Sequence, residues 1–180
     1  MTWVRSVVVP VLILPMLIAA SACGGGSPSQ PSGSGSSGSG TGGNTTPSKG
    51  TLTAVIDGRA YTGIVKVVSR TDGYFGIAAT NAALTLTVSF ATTRPAVGTT
   101  TVADSLVSMG VATTNGSSGA TTGSWIATNI SGSGSLTIST LTSSGATGTF
   151  NFTAAPAPPP SNVGATGTKV VSNGVFNVTF

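Results

Sequence analysis

The chain is 180 residues long, has seven basic and three acidic side chains with a formal net charge of +4, and contains no histidine. Because acid–base catalysis near neutral pH usually uses histidine or a pair of carboxylates in different environments, this composition argues against an acid–base enzyme. The same scarcity of charge argues against a basic nucleic-acid-binding surface, and a single cysteine without histidine excludes the common transition-metal ligand sets.

The first 22 residues have the features of a secretory signal peptide. A positive charge at Arg5 precedes an apolar stretch from Val7 to Ala19, and small residues follow it. This stretch is about 13 residues long and contains Pro10 and Pro15, whereas a helix that crosses a bilayer needs roughly 20 apolar residues. We therefore expect residues 1–22 to direct export and to be removed afterwards.

Cys23 is the only cysteine and ends the run Ala20-Ser21-Ala22-Cys23. This run resembles the lipobox of bacterial lipoproteins, and the resemblance implies that Cys23 becomes the acylated first residue of the mature protein. Acyl chains such as palmitate contribute roughly 0.8 kcal/mol per buried methylene, so two or more of them hold a protein firmly on a membrane. A run of small residues also suits a signal peptidase that does not lipidate, which would leave a free thiol. Because Gly24 follows the cysteine, the resemblance implies the outer membrane as the destination if the cell has one.

Residues 23–50 are expected to form a lipidated cysteine followed by a flexible linker. From residue 24 to residue 48 the chain uses only Gly, Ser, Pro, Gln, Thr and Asn, so no large apolar side chain offsets the entropy of ordering it. A Gly/Ser-rich segment of about 27 residues spans roughly 30 Å on average and roughly 90 Å when extended. Such a linker would hold the next domain clear of the lipid surface.

Residues 51–180 are predicted to form one all-β domain, because apolar and polar residues alternate along much of this range and no helical repeat competes. In Leu84–Phe90, for example, every second residue is apolar. The dipeptides Asp57-Gly58 and Asp72-Gly73 are typical of tight hairpin turns. The candidate strands are Leu52–Ile56, Tyr61–Val68, Tyr74–Ala79, Leu84–Phe90, Val102–Ala112, Ser124–Ile130, Ser135–Leu141, Thr149–Ala154 and Phe176–Phe180.

Eight or nine short strands at near-regular spacing predict a single antiparallel β-sandwich, with a small closed β-barrel as the alternative. Two stretches, Ile64–Val68 and Tyr74–Ile77, are apolar on both faces and favour neither architecture. Pro156–Pro160 is expected to form a stiff extended loop outside the ladders, because proline cannot donate a ladder hydrogen bond.

Three closing segments, Gly134–Leu141, Gly148–Ala154 and Val171–Phe180, are similar to the endings of many uncharacterised lipoproteins of environmental bacteria, whose domains look all-β. The range Leu52–Tyr61 is a weaker second match. Because the shared residues are turn and core residues, the resemblance implies a fold and transfers no site.

The three aspartates are poor candidates for chemistry. Asp57 and Asp72 precede glycine in turns, where aspartate is common for backbone reasons. Asp104 could join a weak calcium site, but calcium prefers several carboxylates. A serine nucleophile would lack a histidine base, and the domain has no G-x-S-x-G motif. We therefore predict no catalytic residue, no metal site and no cofactor.

Aromatic side chains are the remaining candidates for ligand contact. Trp125, on a predicted strand, is more typical of a core residue than of a binding platform. Tyr61 and Tyr74 are predicted to lie at the surface, near strand ends. All three are candidate ligand contacts.

The sequence thus favours a non-catalytic, lipid-anchored protein of the cell envelope. Its domain would act by surface contact or recognition of an envelope glycan or protein partner, with the membrane bound through the lipid on Cys23 and with no role in nucleic-acid binding. The alternative is a small barrel that binds an apolar ligand, because a closed meander can enclose a cavity. An enzyme that depends on one of the three aspartates is a third hypothesis.

Overall fold

The computed structural model describes residues 50–180 as ten β-strands and one short 3-10 helix. The predicted signal peptide 1–22, Cys23 and the linker up to residue 49 lie outside the described residues. The 3-10 helix, Val102–Asp104, lies between the fifth and sixth strands. The strands are β1 (Gly50–Ile56), β2 (Arg59–Thr71), β3 (Tyr74–Thr80), β4 (Leu86–Thr92), β5 (Gly98–Thr101), β6 (Val107–Thr114), β7 (Thr121–Ala127), β8 (Ser133–Leu141), β9 (Gly145–Pro156) and β10 (Lys169–Thr179).

Antiparallel pairing closes the sheet into a ring of eight strands. The order around the ring is β10-β1-β2-β3-β4-β6-β7-β9, and the ring closes because β9 also pairs with β10. β7 pairs with β9 only through Trp125 and Ile126, which lie opposite the last two residues of β9. β8 pairs with the rest of the same edge of β9, and β5 pairs with β8. The predicted all-β, antiparallel class is confirmed, and the closed ring matches the barrel alternative. No helix in the described range has the length and apolarity that crossing a bilayer requires.

The interior of the ring is packed with aromatic side chains from opposite walls. Phe90 of β4 lies 5.0 Å from Phe176 of β10 and 5.4 Å from Phe150 of β9, measured between ring centroids. Phe75 of β3 lies 6.1 Å from Phe176. Because these walls pack face to face with side chains between them, the closed ring also has the layered core of a sandwich.

Two strand predictions fail where local backbone geometry overrides alternation. The predicted strand Val102–Ala112 begins as the 3-10 helix, turns at Ser105 with a φ of 60°, and becomes a strand only at Val107. Leu84 does not continue the apolar face of β4: it has a φ of 56° and is 46% exposed in the turn before the strand. β5 was not predicted, since Gly98–Thr101 contains only glycine and threonine and shows no alternation.

The proline-rich segment is also placed differently from the prediction. Pro156 is the last residue of β9 and lies opposite Trp125 of β7. A proline is tolerated there because it sits at the end of the ladder. The rest of the segment belongs to the connection between β9 and β10, outside the strands as predicted, but it turns where an extended loop was expected: the Ser161 N–H donates to the Pro158 carbonyl at 3.0 Å.

Strand direction defines two ends of the barrel. At the first, called here the Gly50 end, Gly50 pairs with Val178 and the Phe180 N–H donates to the Ser144 carbonyl. At the second, called the cleft end, the turn at Asp57 meets Lys169. β1 connects the two ends with seven residues, a rise of roughly 20 Å. The described chain therefore begins at the end opposite the turn at Asp57.

Candidate functional site

A cleft with a volume of about 730 Å³ lies at the cleft end. Its walls come from the ends of β1 and β2, the β3–β4 turn, the ends of β4 and β6, and the first residue of β10. The side chains that matter most for its chemistry are Asp57, Arg59, Tyr61, Leu86, Thr113 and Lys169.

The lining follows from the same alternation that fills the core. On β2 the buried positions Val65, Gly63 and Tyr61 alternate with exposed ones, and the next position of that series is Arg59. On β10 the series that contains buried Val171 begins with Lys169. Because alternate side chains of a strand share one face, these cations belong to the inward-facing series at the point where the apolar core ends. The core pattern therefore places polar groups over the barrel opening.

Asp57 fixes the β1–β2 turn to β10. Positive φ angles at Asp57 (49°) and Gly58 (80°) describe a type I′ hairpin turn, which confirms the predicted tight turn. The Asp57 carboxylate accepts a hydrogen bond of 2.7 Å from Lys169 Nζ and one of 2.9 Å from the Val170 N–H. Burial acts to raise the pKa of Asp57, but these hydrogen bonds and the charges of Lys169 and Arg59 outweigh it, so the pKa lies below its ordinary value.

Lys169 connects the cleft to Trp125. Its Nζ lies 5.1 Å from the centroid of the Trp125 ring, a cation–π contact. The indole N–H of Trp125 donates to the carbonyls of Thr166 and Gly167, each at 3.2 Å. Trp125 is 7% exposed and belongs to the core, in agreement with the interpretation preferred from the sequence. Trp125 is not among the residues that line the cleft, and it borders the cleft through Lys169.

The two tyrosines have different surroundings. Tyr61 is 5% exposed, so its predicted surface position is wrong, although its ring forms part of the cleft floor. Its hydroxyl donates to the Ala79 carbonyl at 2.6 Å. Burial raises the pKa of Tyr61 to about 12, and a backbone hydrogen bond from Val88 opposes the shift. Tyr74 is half-buried at the start of β3, at the Gly50 end, so the structure does not bring it to the cleft.

Most polar groups of the cleft are bonded within the protein. Asn81 Oδ1 accepts from the backbone N–H groups of Thr85 and Leu86 at 2.8 and 3.0 Å, and its Nδ2 donates to the Thr85 hydroxyl at 3.1 Å. The Thr113 hydroxyl accepts from the Thr122 hydroxyl at 3.0 Å. The Thr114 hydroxyl donates to the Leu84 carbonyl. These bonds order the rim of the cleft before any ligand arrives.

Sequence reasoning missed Arg59 and Lys169 as members of the site. Counting back by two from Tyr61, to the residue directly after the hairpin dipeptide, would have placed Arg59 over the barrel opening. No comparable signal existed for Lys169, because the predicted last strand began at Phe176 whereas β10 begins at Lys169 itself.

Asp104 has a structural role away from the cleft. Its carboxylate accepts from the Thr101 N–H at 3.0 Å and from the Thr101 hydroxyl at 2.8 Å, which caps the 3-10 helix. These hydrogen bonds lower the pKa of Asp104. Within residues 50–180, no three side chains of the His, Cys, Asp or Glu types come together as a metal site would require.

One comparison with known proteins gives a match. A family model with the description Domain of unknown function (DUF6252) matches residues 48–178, which covers nearly all of the described strands. No curated protein and no solved structure matches the chain.

Proposed function

The chain belongs to the family described as Domain of unknown function (DUF6252), and we propose that it is a non-catalytic recognition protein of the cell envelope. Acyl chains on Cys23 hold it on a membrane, the outer one if the cell has one, and the linker carries the barrel. The barrel binds its ligand, an envelope glycan or another envelope molecule, in the cleft.

The position of the cleft is the observation that carries this proposal. Gly50, where the described chain begins, lies at one end of the barrel, and the cleft lies at the other, across roughly 20 Å of β1. The point where the linker joins the barrel therefore lies away from the cleft.

The state of the cleft carboxylate supports a binding role. Asp57 is the only carboxylate among the described residues that line the cleft, and both of its oxygens accept hydrogen bonds. A general base needs a carboxylate free to take a proton from a substrate. A carboxylate held by Lys169 and the Val170 N–H is better suited to fixing the shape of the rim.

The apolar floor of the cleft favours a second candidate, the binding of an apolar ligand. Ile56, Ala60, Tyr61 and Leu86 contribute to the lining. Since the rings of Phe90, Phe150 and Phe176 occupy the barrel interior, an acyl chain would lie along this floor and not inside the barrel.

Mass spectrometry of protein extracted from membranes tests the anchor. We expect a mature N-terminus at Cys23 that carries the mass of two or three acyl chains, and we expect the Cys23→Ser variant to lose both this mass and its membrane association. An unacylated native protein recovered from the culture medium would contradict the envelope role.

Titration of the cleft tests recognition. The mature protein, in which Trp125 is the only tryptophan because Trp3 belongs to the removed signal peptide, is titrated with peptidoglycan fragments, neutral glycans and lipids while its emission is followed. We expect a saturable change for at least one of these classes. Thr113→Phe, which narrows the cleft, should abolish it. Thr149→Phe, the same change on the exposed face of β9, should leave it intact, and equal binding by both variants would place recognition outside the cleft.

A further inference from the structure

We infer that the cleft recognises a small carboxylate, and that the side chain of Arg59 is the group that binds it. This inference rests on the proposed function, because it names the ligand class of the same cleft. Four observations carry it: the position of Arg59, the absence of a hydrogen bond or ion pair from its side chain to another described residue, the charge balance of the rim, and the apolar floor beside it.

Arg59 occupies the opening of the barrel. It is the first residue of β2 and follows the type I′ turn directly, so the ladder with Ile56 holds its backbone in place. Its side chain continues the inward-facing series of Tyr61 and is part of the cleft lining. A rigid hairpin therefore places a guanidinium at the cleft.

Among the described residues, no hydrogen bond or ion pair holds the Arg59 side chain, whose charge acts on Asp57 only as one of several causes of its lowered pKa. Lys169, the other cation of the cleft, is engaged by Asp57 at 2.7 Å and by the Trp125 ring. Asn81, Thr113 and Thr114 use their polar atoms within the protein. The guanidinium has five N–H donors in a planar fork, so it is the largest uncommitted hydrogen-bonding group of the cleft.

The geometry of that fork selects the ligand chemistry. Guanidinium groups bind carboxylate and phosphate oxygens through two parallel hydrogen bonds. The charged residues that line the cleft are Asp57, Arg59 and Lys169, which leaves one net positive charge. A carboxylate balances this charge, whereas a phosphate monoester brings a charge of roughly −1.5 to −2. The charge balance thus favours a carboxylate over a phosphate monoester.

The floor beside Arg59 receives the rest of the ligand. Leu86 is partly buried against the core, and the buried ring of Tyr61 is the next member of the inward-facing series after Arg59. These side chains offer a carbon surface to a short chain or to the face of a sugar ring. Two sources share the required chemistry, a short acyl acid and a sugar acid.

Calorimetric titration of the full chain in phosphatidylcholine vesicles tests the inference with matched probes. Hexanoate is compared with hexan-1-ol, and glucuronate with glucose. For the source that fits the floor, we expect the acid to bind at least tenfold more tightly than its neutral counterpart. The pair that shows this preference identifies the source.

Variants of Arg59 test whether its side chain is responsible for the preference for the acid. Arg59→Gln should reduce the preference for the acid to less than threefold, and Arg59→Lys should restore part of it, because the charge returns without the planar fork. Arg94→Gln, which removes an exposed cation outside the cleft, should leave the preference unchanged. Melting temperatures of the three variants show whether each one is folded.

Two results would overturn the inference. Equal affinities for each acid and its neutral counterpart, or an acid preference that survives Arg59→Gln, would remove Arg59 as the recognition group. Cleft-dependent binding of a neutral glycan in the Thr113→Phe experiment would then still support the proposed function. If no ligand class depends on Thr113, the proposed function fails as well.

Discussion

Asp57 joins a hairpin turn to a lysine 112 residues later in the chain. Its neighbours stabilise the ionised carboxylate, and Asn would keep both the shape of the side chain and its tolerance of a positive φ. The pair is partly exposed, with side-chain exposures of 28% for Lys169 and 38% for Asp57, so its contribution is modest. Substitution of Asp57 by Asn therefore removes the charge and one of the two acceptor oxygens while it preserves the turn.

We expect Asp57→Asn to lower the free energy of unfolding at pH 7 by about 0.5–1 kcal/mol. Because the pKa of Asp57 is lowered in the folded state, its contribution is present above the ordinary value of 3.8 and is lost as pH falls below it. Thermal unfolding between pH 2 and pH 7 measures this, and the variant should differ least from the native protein at the acid end. Asp72→Asn, in the other Asp-Gly turn, is the control. A constant difference across the whole pH range would contradict the assignment.

Tyr61 predicts an alkaline limit on stability. Its folded pKa of about 12 lies above the ordinary value of 10.0, so its contribution is complete below pH 10 and is lost as pH rises toward 12. Tyr61→Phe should lose about 1 kcal/mol at pH 7, since the bond to the Ala79 carbonyl is removed, and should show a shallower loss above pH 10. Urea unfolding at pH 7, 10 and 11.5 measures both effects. Tyr74→Phe serves as the control, and parallel curves for Tyr61→Phe and the native protein would refute the prediction.

At the scale of elements, β9 is the strand that closes the barrel. It pairs with β8 on one edge and with β10 on the other, and it meets β7 at its end. Gly148 lies where the Phe176 ring covers the strand: an added Cβ would lie 2.1 Å from the Thr137 carbonyl oxygen and 2.6 Å from the Phe176 ring. The glycine is needed there for close approach.

We expect Gly148→Ala to destabilise the domain by about 1–3 kcal/mol, because the strand and the ring must shift apart. Chemical denaturation of the full chain measures the loss. Gly110→Ala on β6 is the matched control, since its added Cβ would approach no atom closer than 3.3 Å. Similar losses for the two variants would show that strand propensity, and not the Phe176 contact, sets the cost.

The alternation of apolar and polar residues predicted the positions of some strands better than those of others. β1 alternates regularly, β3 follows the Asp72-Gly73 turn, and both lie close to their predicted positions. β9 contains the predicted Thr149–Ala154 but begins four residues earlier and ends two residues later. β5 has only glycine and threonine, and it forms because β8 offers an edge to pair with. Leu84 fits the apolar pattern but takes a positive φ, because Asn81 binds the backbone N–H groups of Thr85 and Leu86 and so fixes the turn.

At the scale of the whole molecule, the aromatic core holds opposite walls together. Phe90 is 2% exposed and contacts Phe75, Phe150 and Phe176. We expect Phe90→Ala to lower the free energy of unfolding by about 3–5 kcal/mol, because it leaves a cavity where two walls meet. Val175→Ala, at a side chain that is 49% exposed, should change it by less than about 0.5 kcal/mol. Urea denaturation of the two variants measures the difference, and a small loss for Phe90→Ala would mean that the walls are stable without this contact.

The amino-acid sequence by itself determined the all-β class, the two Asp-Gly turns and most of the core, because alternation and turn chemistry act over a few neighbouring residues. Tertiary structure alone decided the closure of the ring and the composition of the cleft. Closure depends on the pairing of β10 with both β1 and β9, and the Asp57–Lys169 contact joins residues from opposite parts of the described chain. Local patterns carry no information about which distant strand ends will meet, since that depends on how all the strands pair and pack around one core.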